Sequence, residues 1–207
     1  MRVGLGGYMD LKQKRRELDI IAKSITNRDI DIKIAQNCQN PVPGEGDPNA
    51  KLMFIGEAPG AQEDKLGKPF IGASGRFLDE MLEGIGMKRK DVFITNIVKF
   101  RPPKNRDPKP SEIKACLPSL LAQVEVISPL LIVFLGRHSM NVFFPNLKIG
   151  QVHGEHIEAR VKFSSKLIIE GTFLPLYHPA AALYNGSMRQ VLIQDFTKIP
   201  KILELIS

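Results

Sequence analysis

The stretch Lys51-Leu-Met-Phe-Ile-Gly56 is a short apolar run that ends in glycine and is followed directly by Glu57. A run of this length, bounded by loop-forming residues, is typical of a strand that is buried on both faces. Similar runs occur at Val92–Val98 and Leu130–Leu135, and Leu174–His178 has the pattern of a fourth strand. These segments predict the strands of one sheet.

Helical patterns separate the predicted strands. They cover Asp10–Ser24, Ser74–Ile85, Ser111–Ile127, Arg137–Phe144 and Met188–Leu205. Ser74 and Ser111 are predicted N-caps. Alternation over Val152–Phe163 predicts a hairpin, and the prolines and glycines of Asn40–Pro48 exclude regular structure there.

Strands that alternate with helices predict the α/β class. The expected architecture is a three-layer α/β/α sandwich around a short, mostly parallel four-stranded sheet. Because the chain has no internal repeats and no low-complexity tract, residues 1–207 are assigned to a single domain.

Polar residues follow three of the predicted strands. Glu57 comes directly after the first strand, while Asn96 and His178 lie at the ends of two others. In parallel α/β sheets, ligands bind at the carboxyl ends of the strands. The three residues therefore predict a site at one sheet edge, although each taken alone is equally typical of an ordinary strand end.

The composition excludes several classes of protein. The chain has 207 residues, of which 43% are hydrophobic and 25% charged, with a net charge of +7. A basic chain suits a polyanionic partner, although many basic proteins bind no nucleic acid. No apolar run is long enough for a membrane span, the N-terminus lacks a signal-peptide pattern, and two cysteines make no secreted disulfide framework. We expect a cytoplasmic protein.

A motif with sharp turns follows the first strand, Gly56-Glu-Ala-Pro-Gly-Ala-Gln-Glu-Asp64. Pro59 and Gly60 hold Glu57 on a rigid loop. The motif lacks the Gly-Lys-Ser/Thr ending and the glycine spacing of phosphate-binding loops, which excludes that class.

With this motif, the sequence resembles the family 4 uracil-DNA glycosylases. Five further motifs carry the resemblance, in order and over about 150 residues: Val42-Pro-Gly-Glu-Gly46, Gly67-Lys-Pro-Phe-Ile-Gly72, Ile94-Thr-Asn-Ile-Val-Lys99, Arg101-Pro-Pro-Lys-Asn-Arg106 and His178-Pro-Ala-Ala-Ala-Leu183. Gly56-Glu57 in place of Gly-Leu resembles family 4 rather than family 5. The resemblance implies an enzyme that hydrolyses the N-glycosidic bond of flipped-out deoxyuridine in DNA, releasing uracil and leaving an abasic site.

The resemblance also implies roles for individual residues. Glu57 and His178 are the expected catalytic residues, the first positioning a water and the second stabilising negative charge on uracil. Asn96 is expected to read uracil and Phe70 to stack on it. Glu63 is expected to close the pocket near uracil C5, although a solvated loop acid is an equal alternative. Ala58 and Gly60 complete the expected substrate-binding set.

A further set of residues is expected to contact DNA, also through the resemblance. It comprises Lys68, Ser74, Arg101, Leu183, Tyr184, Met188 and Arg189. The stretch Ala180–Met188 resembles a loop that wedges into the DNA stack where the base is extruded, and the sequence does not choose among Leu183, Tyr184 and Met188 as the wedge.

The chain departs from the family at the ligands of the four-iron four-sulfur cluster. The four ligand positions align with Asp29, Ile32, Phe100 and Cys116, so only one thiol is retained, and Cys38 falls outside the pattern. A cubane cluster needs four thiolate-type ligands. We therefore predict no cofactor and no metal, with apolar packing at the place of the cluster.

Two other functions remain open from the sequence. A non-catalytic paralogue that binds DNA or a protein would explain the missing cluster ligands. A glycosylase with a shifted base preference would keep the same motifs with another pocket size. Uracil-containing DNA is the expected partner of a monomer. Repair proteins or a replication clamp are further possible partners that the sequence does not identify.

Overall fold

The computed structural model describes residues 2–3, 9–30, 32–165 and 167–207. Its strands are β1 (Arg2–Val3), β2 (Glu45–Gly46), β3 (Leu52–Gly56), β4 (Phe93–Asn96), β5 (Leu131–Leu135), β6 (Ile157–Lys162) and β7 (Ile168–Leu176). Its helices are α1 (Leu11–Thr26), α2 (Lys33–Asn37), α3 (Ala61–Leu66), α4 (Ala73–Gly84), α5 (Pro110–Ile127), α6 (Arg137–Phe143), α7 (Ile149–Val152), α8 (Pro179–Ala182), α9 (Gly186–Phe196) and α10 (Ile199–Ile206).

The four predicted strands form a parallel core in the order β4-β3-β5-β7. The predicted total of four strands is too low, because the described sheet has seven. Strands β1, β2 and β6 pair antiparallel with β7, β4 and β7 respectively. Two of these three strands have only two residues, which is too short for any sequence pattern.

Apolar cores on both faces of the sheet confirm the three-layer architecture. Met53 and Ile55 of β3 pack in a core with residues of α1, α5 and α6. Leu52 and Phe54, which alternate with them, pack in a second core with residues of α4, α9 and α10. Successive side chains of a strand point to opposite faces, so a continuous apolar run is what a strand between two helical layers requires.

Both predicted serine N-caps are wrong. Helix α4 begins at Ala73 after Gly72, so Ser74 lies within its first turn. Helix α5 begins at Pro110, and the Glu112 carboxylate accepts the main-chain N–H of Lys109 at 2.8 Å. Proline fits the first turn of a helix and an acid at the third position can bond back to the cap, which displaces Ser111 from that role.

Three other boundaries also differ from expectation. The last predicted helix is two helices, because Pro200 lies at the start of α10. The predicted hairpin has β6 as one strand, but its partner is the first part of β7. In the loop Asn40–Pro48, Glu45 and Gly46 pair with β4. Among the described residues, no helix combines the length and apolarity that a membrane span needs.

Candidate active site

The carboxyl ends of the parallel strands surround a cavity of about 380 Å³. Eight of the predicted site residues line this cavity: Glu57, Ala58, Gly60, Glu63, Phe70, Ser74, Asn96 and His178. Asn105 and Arg106, from the Arg101–Arg106 motif, and the adjacent Asp107 also line it, although none of the three was among the predicted site residues. The sheet therefore brings distant motifs to one place, as the strand-end argument predicted.

Asn96 ends β4 opposite Gly56 of β3 and is 2% exposed. Its side-chain Oδ1 is buried and accepts no hydrogen bond from any described residue. A buried polar atom without a partner costs about 1–3 kcal/mol. Because Asn96 also lines the cavity, this oxygen is available to accept a hydrogen bond from a donor on a bound ligand.

Gly56 lets the amide of Asn96 and the ring of Phe70 lie side by side. A Cβ atom at position 56 would lie 2.4 Å from Asn96 Oδ1 and 2.5 Å from Phe70 Cζ. Both distances are far below van der Waals contact. Glycine at this position is therefore a steric requirement of the cavity.

Phe70 is held in a left-handed backbone conformation with φ of 49°. Arg89 donates hydrogen bonds to the carbonyl oxygens of Phe70, at 2.9 Å, and of Pro69. A Cβ at position 75 would lie 1.8 Å from the main-chain oxygen of Phe70. Glycine at this position therefore lets the loop that carries Phe70 pack against α4. Such strain costs on the order of 1–3 kcal/mol and persists where the surroundings fix it.

The Phe70 ring is 5% exposed and forms part of the cavity wall. Its centroid lies 5.7 Å from that of His178, with 31° between the ring planes. A flat ligand between Asn96 and His178 would meet an aromatic surface.

His178 is the N-cap of α8, and its Nδ1 accepts the main-chain N–H of Ala180 at 3.1 Å. Burial lowers the pKa of His178 to about 4. The ring is therefore neutral at pH 7, and because Nδ1 is an acceptor, the ring hydrogen is on Nε2. His178 can donate this N–H to an oxygen in the cavity.

Glu57 is half-buried, and burial is the main cause that raises its pKa. His138, at the start of α6 after β5, has its Nε2 3.9 Å from Glu57 Oε2 and 3.2 Å from Asp107 Oδ2. The positive charge of a protonated His138 lowers the pKa of Glu57, whereas Asp107 raises it. Neither neighbour was identified from the sequence, because β5 ends without a recognisable motif.

Glu57, Asp107 and His138 are also the described residues whose donor atoms group closely enough to hold a metal ion, all lying within 4.8 Å of one another. Two carboxylates and an imidazole suit a divalent cation of intermediate hardness.

Glu63 joins two loops of the site. Its carboxylate accepts main-chain N–H groups from Gly60 at 3.1 Å, Ile71 at 2.9 Å and Gly72 at 2.8 Å. Glu63 is thus not a solvated loop acid. It fixes the two loops that carry Glu57 and Phe70, and it lines the cavity.

Comparison with known proteins agrees with this geometry. A family model described as the uracil DNA glycosylase superfamily matches residues 43–199. The chain belongs to this superfamily. It is 47% identical to the type-4 uracil-DNA glycosylase of Sulfurisphaera tokodaii over 82% of this chain and 78% of that protein.

Two further type-4 uracil-DNA glycosylases show comparable similarity. The protein of Saccharolobus solfataricus is 46% identical over 90% of this chain and 86% of its own. The protein of Archaeoglobus fulgidus is 40% identical over 89% of this chain and 92% of its own. The chain therefore belongs to the type-4 group, which the motifs indicated.

The residues expected to contact DNA divide into two groups in this glycosylase fold. Lys68 is exposed. Leu183 and Tyr184 lie in the loop between α8 and α9, where Tyr184 is 95% exposed, and Met188 lies in the first turn of α9. The two arginines are engaged elsewhere. Arg101 contacts Asn105 and Asp64, while Arg189 lies over the Phe77 ring at 4.1 Å and pairs with Glu80.

The positions of the family's cluster ligands form part of an apolar core. Phe100 and Cys116 are fully buried, and Ile32 packs against the same core. Asp29 is exposed. Burial raises the pKa of the Cys116 thiol, which favours the protonated form over a thiolate. With a single sulfur at the four positions, this donor set does not fit a cubane cluster.

Proposed function

We propose that this protein is a uracil-DNA glycosylase that hydrolyses the N-glycosidic bond of extruded deoxyuridine. The observation that carries the proposal is the unpartnered Oδ1 of Asn96 in the cavity wall. This oxygen can accept from uracil N3–H while the amide nitrogen donates to uracil O4. Cytosine has an acceptor at N3 and a donor at C4, so it mismatches both groups.

The catalytic steps follow from the ionisation of two side chains. As the C1′–N1 bond breaks, its electron pair leaves with uracil, and the neutral His178 donates its Nε2–H to the uracil carbonyl where negative charge develops. Glu57, when ionised, stabilises the positive sugar and holds a water. The water oxygen bonds to C1′ and loses a proton, giving an abasic site and, after protonation, free uracil.

We also propose that the enzyme works without an iron–sulfur cluster, since three of the four ligand positions are Asp29, Ile32 and Phe100. Burial of an Ile or Phe side chain contributes about 1.5–3 kcal/mol, which supports packing as the replacement. Protein purified with and without oxygen should be colourless, with no absorbance near ~400 nm, where clusters of this type absorb. Brown protein carrying iron in stoichiometric amounts would contradict this proposal.

We propose that the enzyme acts as a monomer, because one chain supplies every group that the proposed reaction uses, namely Glu57, Asn96 and His178. Its place of action would be the nucleoid inside the cell, where uracil-containing DNA occurs. A non-catalytic DNA-binding protein is the second candidate, favoured by the lost ligands alone.

An oligonucleotide assay separates these functions. A labelled strand with one uracil is incubated with the protein and treated with alkali, which cleaves at abasic sites. We expect a break at uracil and none in the matched cytosine strand. Folded protein that binds the strand without producing a break would support the non-catalytic candidate, and a break at another base would indicate a shifted preference.

A further inference from the structure

A buried lysine lies directly behind the residue that reads the base. Lys99 is 0% exposed and follows β4 by three residues. Its Nζ donates to Thr95 Oγ1 at 2.6 Å, to the main-chain oxygen of Asn96 at 2.8 Å and to Gln123 Oε1 at 2.8 Å. The mechanism above leaves this group without a role.

The hydrogen bonds indicate that Lys99 carries its charge. An ammonium group has three N–H donors, and here each has one acceptor. No carboxylate of the described residues lies within 4.0 Å of Lys99 Nζ, so the charge has no counter-ion there. Burial lowers the pKa of Lys99 to about 7. An uncompensated buried cation is unfavourable, and an anion formed nearby would relieve this.

We infer that Lys99 stabilises the uracil anion as it forms, by fixing the main chain of Asn96 and placing positive charge behind the base pocket. The inference rests on the proposed function. The anion exists only as the C1′–N1 bond breaks, so the interaction is stronger in the transition state than with bound substrate. In a site with little water, such fixed charges act more strongly than at a surface.

A purely structural role for Lys99 has to be separated from this one. Thr95 Oγ1 and Gln123 Nε2 both donate to the carbonyl oxygen of Pro43, so the Lys99 network joins β4, α5 and the loop before β2. Loss of this hydrogen-bonded connection would slow excision of every base to the same extent. Loss of charge stabilisation would slow it most for the base that forms the least stable anion.

The test compares uracil with 5-fluorouracil as leaving groups, in wild type and in Lys99→Met, by single-turnover rates on single strands at pH 6. Fluorine withdraws electrons and stabilises the leaving anion, so excision depends less on the enzyme's charge. For Lys99→Met we expect a loss of roughly 10- to 100-fold with uracil, below the loss known for direct oxyanion donors, and a several-fold smaller loss with 5-fluorouracil. The matched control is Lys114→Met, an exposed lysine on α5, which should change neither rate.

Each outcome of this comparison either supports or overturns the proposed role of Lys99. Equal losses on the two substrates would overturn it. Lys99→Gln, which is neutral but keeps two N–H donors, is the second variant and should show the same dependence on the leaving group. If neither variant folds, as judged by circular dichroism, Lys99 is structural and the inference is overturned. Wild type that releases neither base would instead contradict the proposed function.

Discussion

The amide oxygen of Asn96 has no hydrogen-bond partner among the described residues, and glycine opposite it on β3 leaves room for that oxygen beside the Phe70 ring. At the scale of single residues, the site therefore depends on polar groups that are available to bond to a ligand and on small residues that leave space for those groups. His178 likewise keeps a group for a ligand. Its Nδ1 accepts the main-chain N–H of Ala180, so the other ring nitrogen, Nε2, is left as a donor.

Replacing Asn96 tests its proposed role in reading uracil. Asn96→Asp should weaken uracil excision by on the order of 10²-fold or more, because a site built for hydrogen bonds rejects a mismatched base strongly. A protonated carboxyl could donate to cytosine N3 and accept from its amino group, so slow cytosine release is also expected. Rates on paired uracil and cytosine strands measure both effects, and unchanged uracil release would remove Asn96 from the pocket.

The pH dependence of excision should report Glu57. In the proposed mechanism the ionised carboxylate of Glu57 is the active form, and burial raises its pKa above the ordinary value for glutamate. The kcat/KM should therefore fall as the pH drops through that raised pKa, with the fall beginning at a higher pH than for an exposed carboxylate. His178 has a pKa of about 4, so its ring is mostly neutral at pH values above that.

The matched variant is Glu57→Gln. It should lose roughly 10²-fold or more in rate and lose the acid-side fall as well. If the variant keeps the fall, another group is responsible for the pH dependence.

At the scale of elements, β3 and β5 could be predicted because each is a continuous apolar run. Covering both faces of a sheet requires such runs, whatever the tertiary detail. The predicted start of β7 at Leu174 was too late, because Glu170 and Thr172 interrupt the apolar pattern of a strand that begins at Ile168. The partners of the core strands were missed where they are too short for a pattern, as at Glu45–Gly46. The helix starts at Ala73 and Pro110 were misplaced because capping is decided by local geometry that several residue types satisfy.

The same limit applies to the site. Residues within motifs, such as Glu57 and Asn96, were placed correctly in the cavity wall by the strand-end argument. His138 and Asp107 were missed because they approach Glu57 only through the fold and have no spacing that marks them. The sequence also could not show that Arg189 is held by Phe77 and Glu80.

We propose that the loop between α8 and α9 holds DNA open where the base is extruded. Tyr184 is 95% exposed, whereas Leu183 packs partly against the core, so Tyr184 is the better wedge. Aromatic stacking on a base contributes roughly 1–3 kcal/mol. Tyr184→Ala should therefore slow excision from duplex DNA by about 10-fold and affect single strands much less, since these need no wedge.

Comparison of duplex and single-strand rates is the internal control for this variant. Leu205→Ala, at an exposed apolar residue of α10, is the matched surface control and should leave both rates unchanged. Equal losses on duplex and single strands would show that Tyr184 acts in some way other than as a wedge.

At the scale of the whole molecule, the net charge of +7 should make the affinity for DNA depend on salt concentration. If about four phosphates are neutralised, the logarithm of affinity for duplex DNA should fall with the logarithm of salt concentration at a slope of roughly −3 to −4. Fluorescence anisotropy at several salt concentrations gives this slope. A slope near zero would show that the basic surface serves another purpose.

The central claim is that a cavity at the carboxyl ends of the parallel strands β3, β4 and β7 reads uracil and releases it by hydrolysis. The most direct test is chromatography of the small molecules that wild-type protein releases from uracil-containing DNA, with abasic sites counted in the same sample. The account predicts free uracil in a one-to-one ratio with abasic sites, and almost none from Asn96→Asp or Glu57→Gln. Folded wild-type protein that releases no free base from this DNA would contradict it.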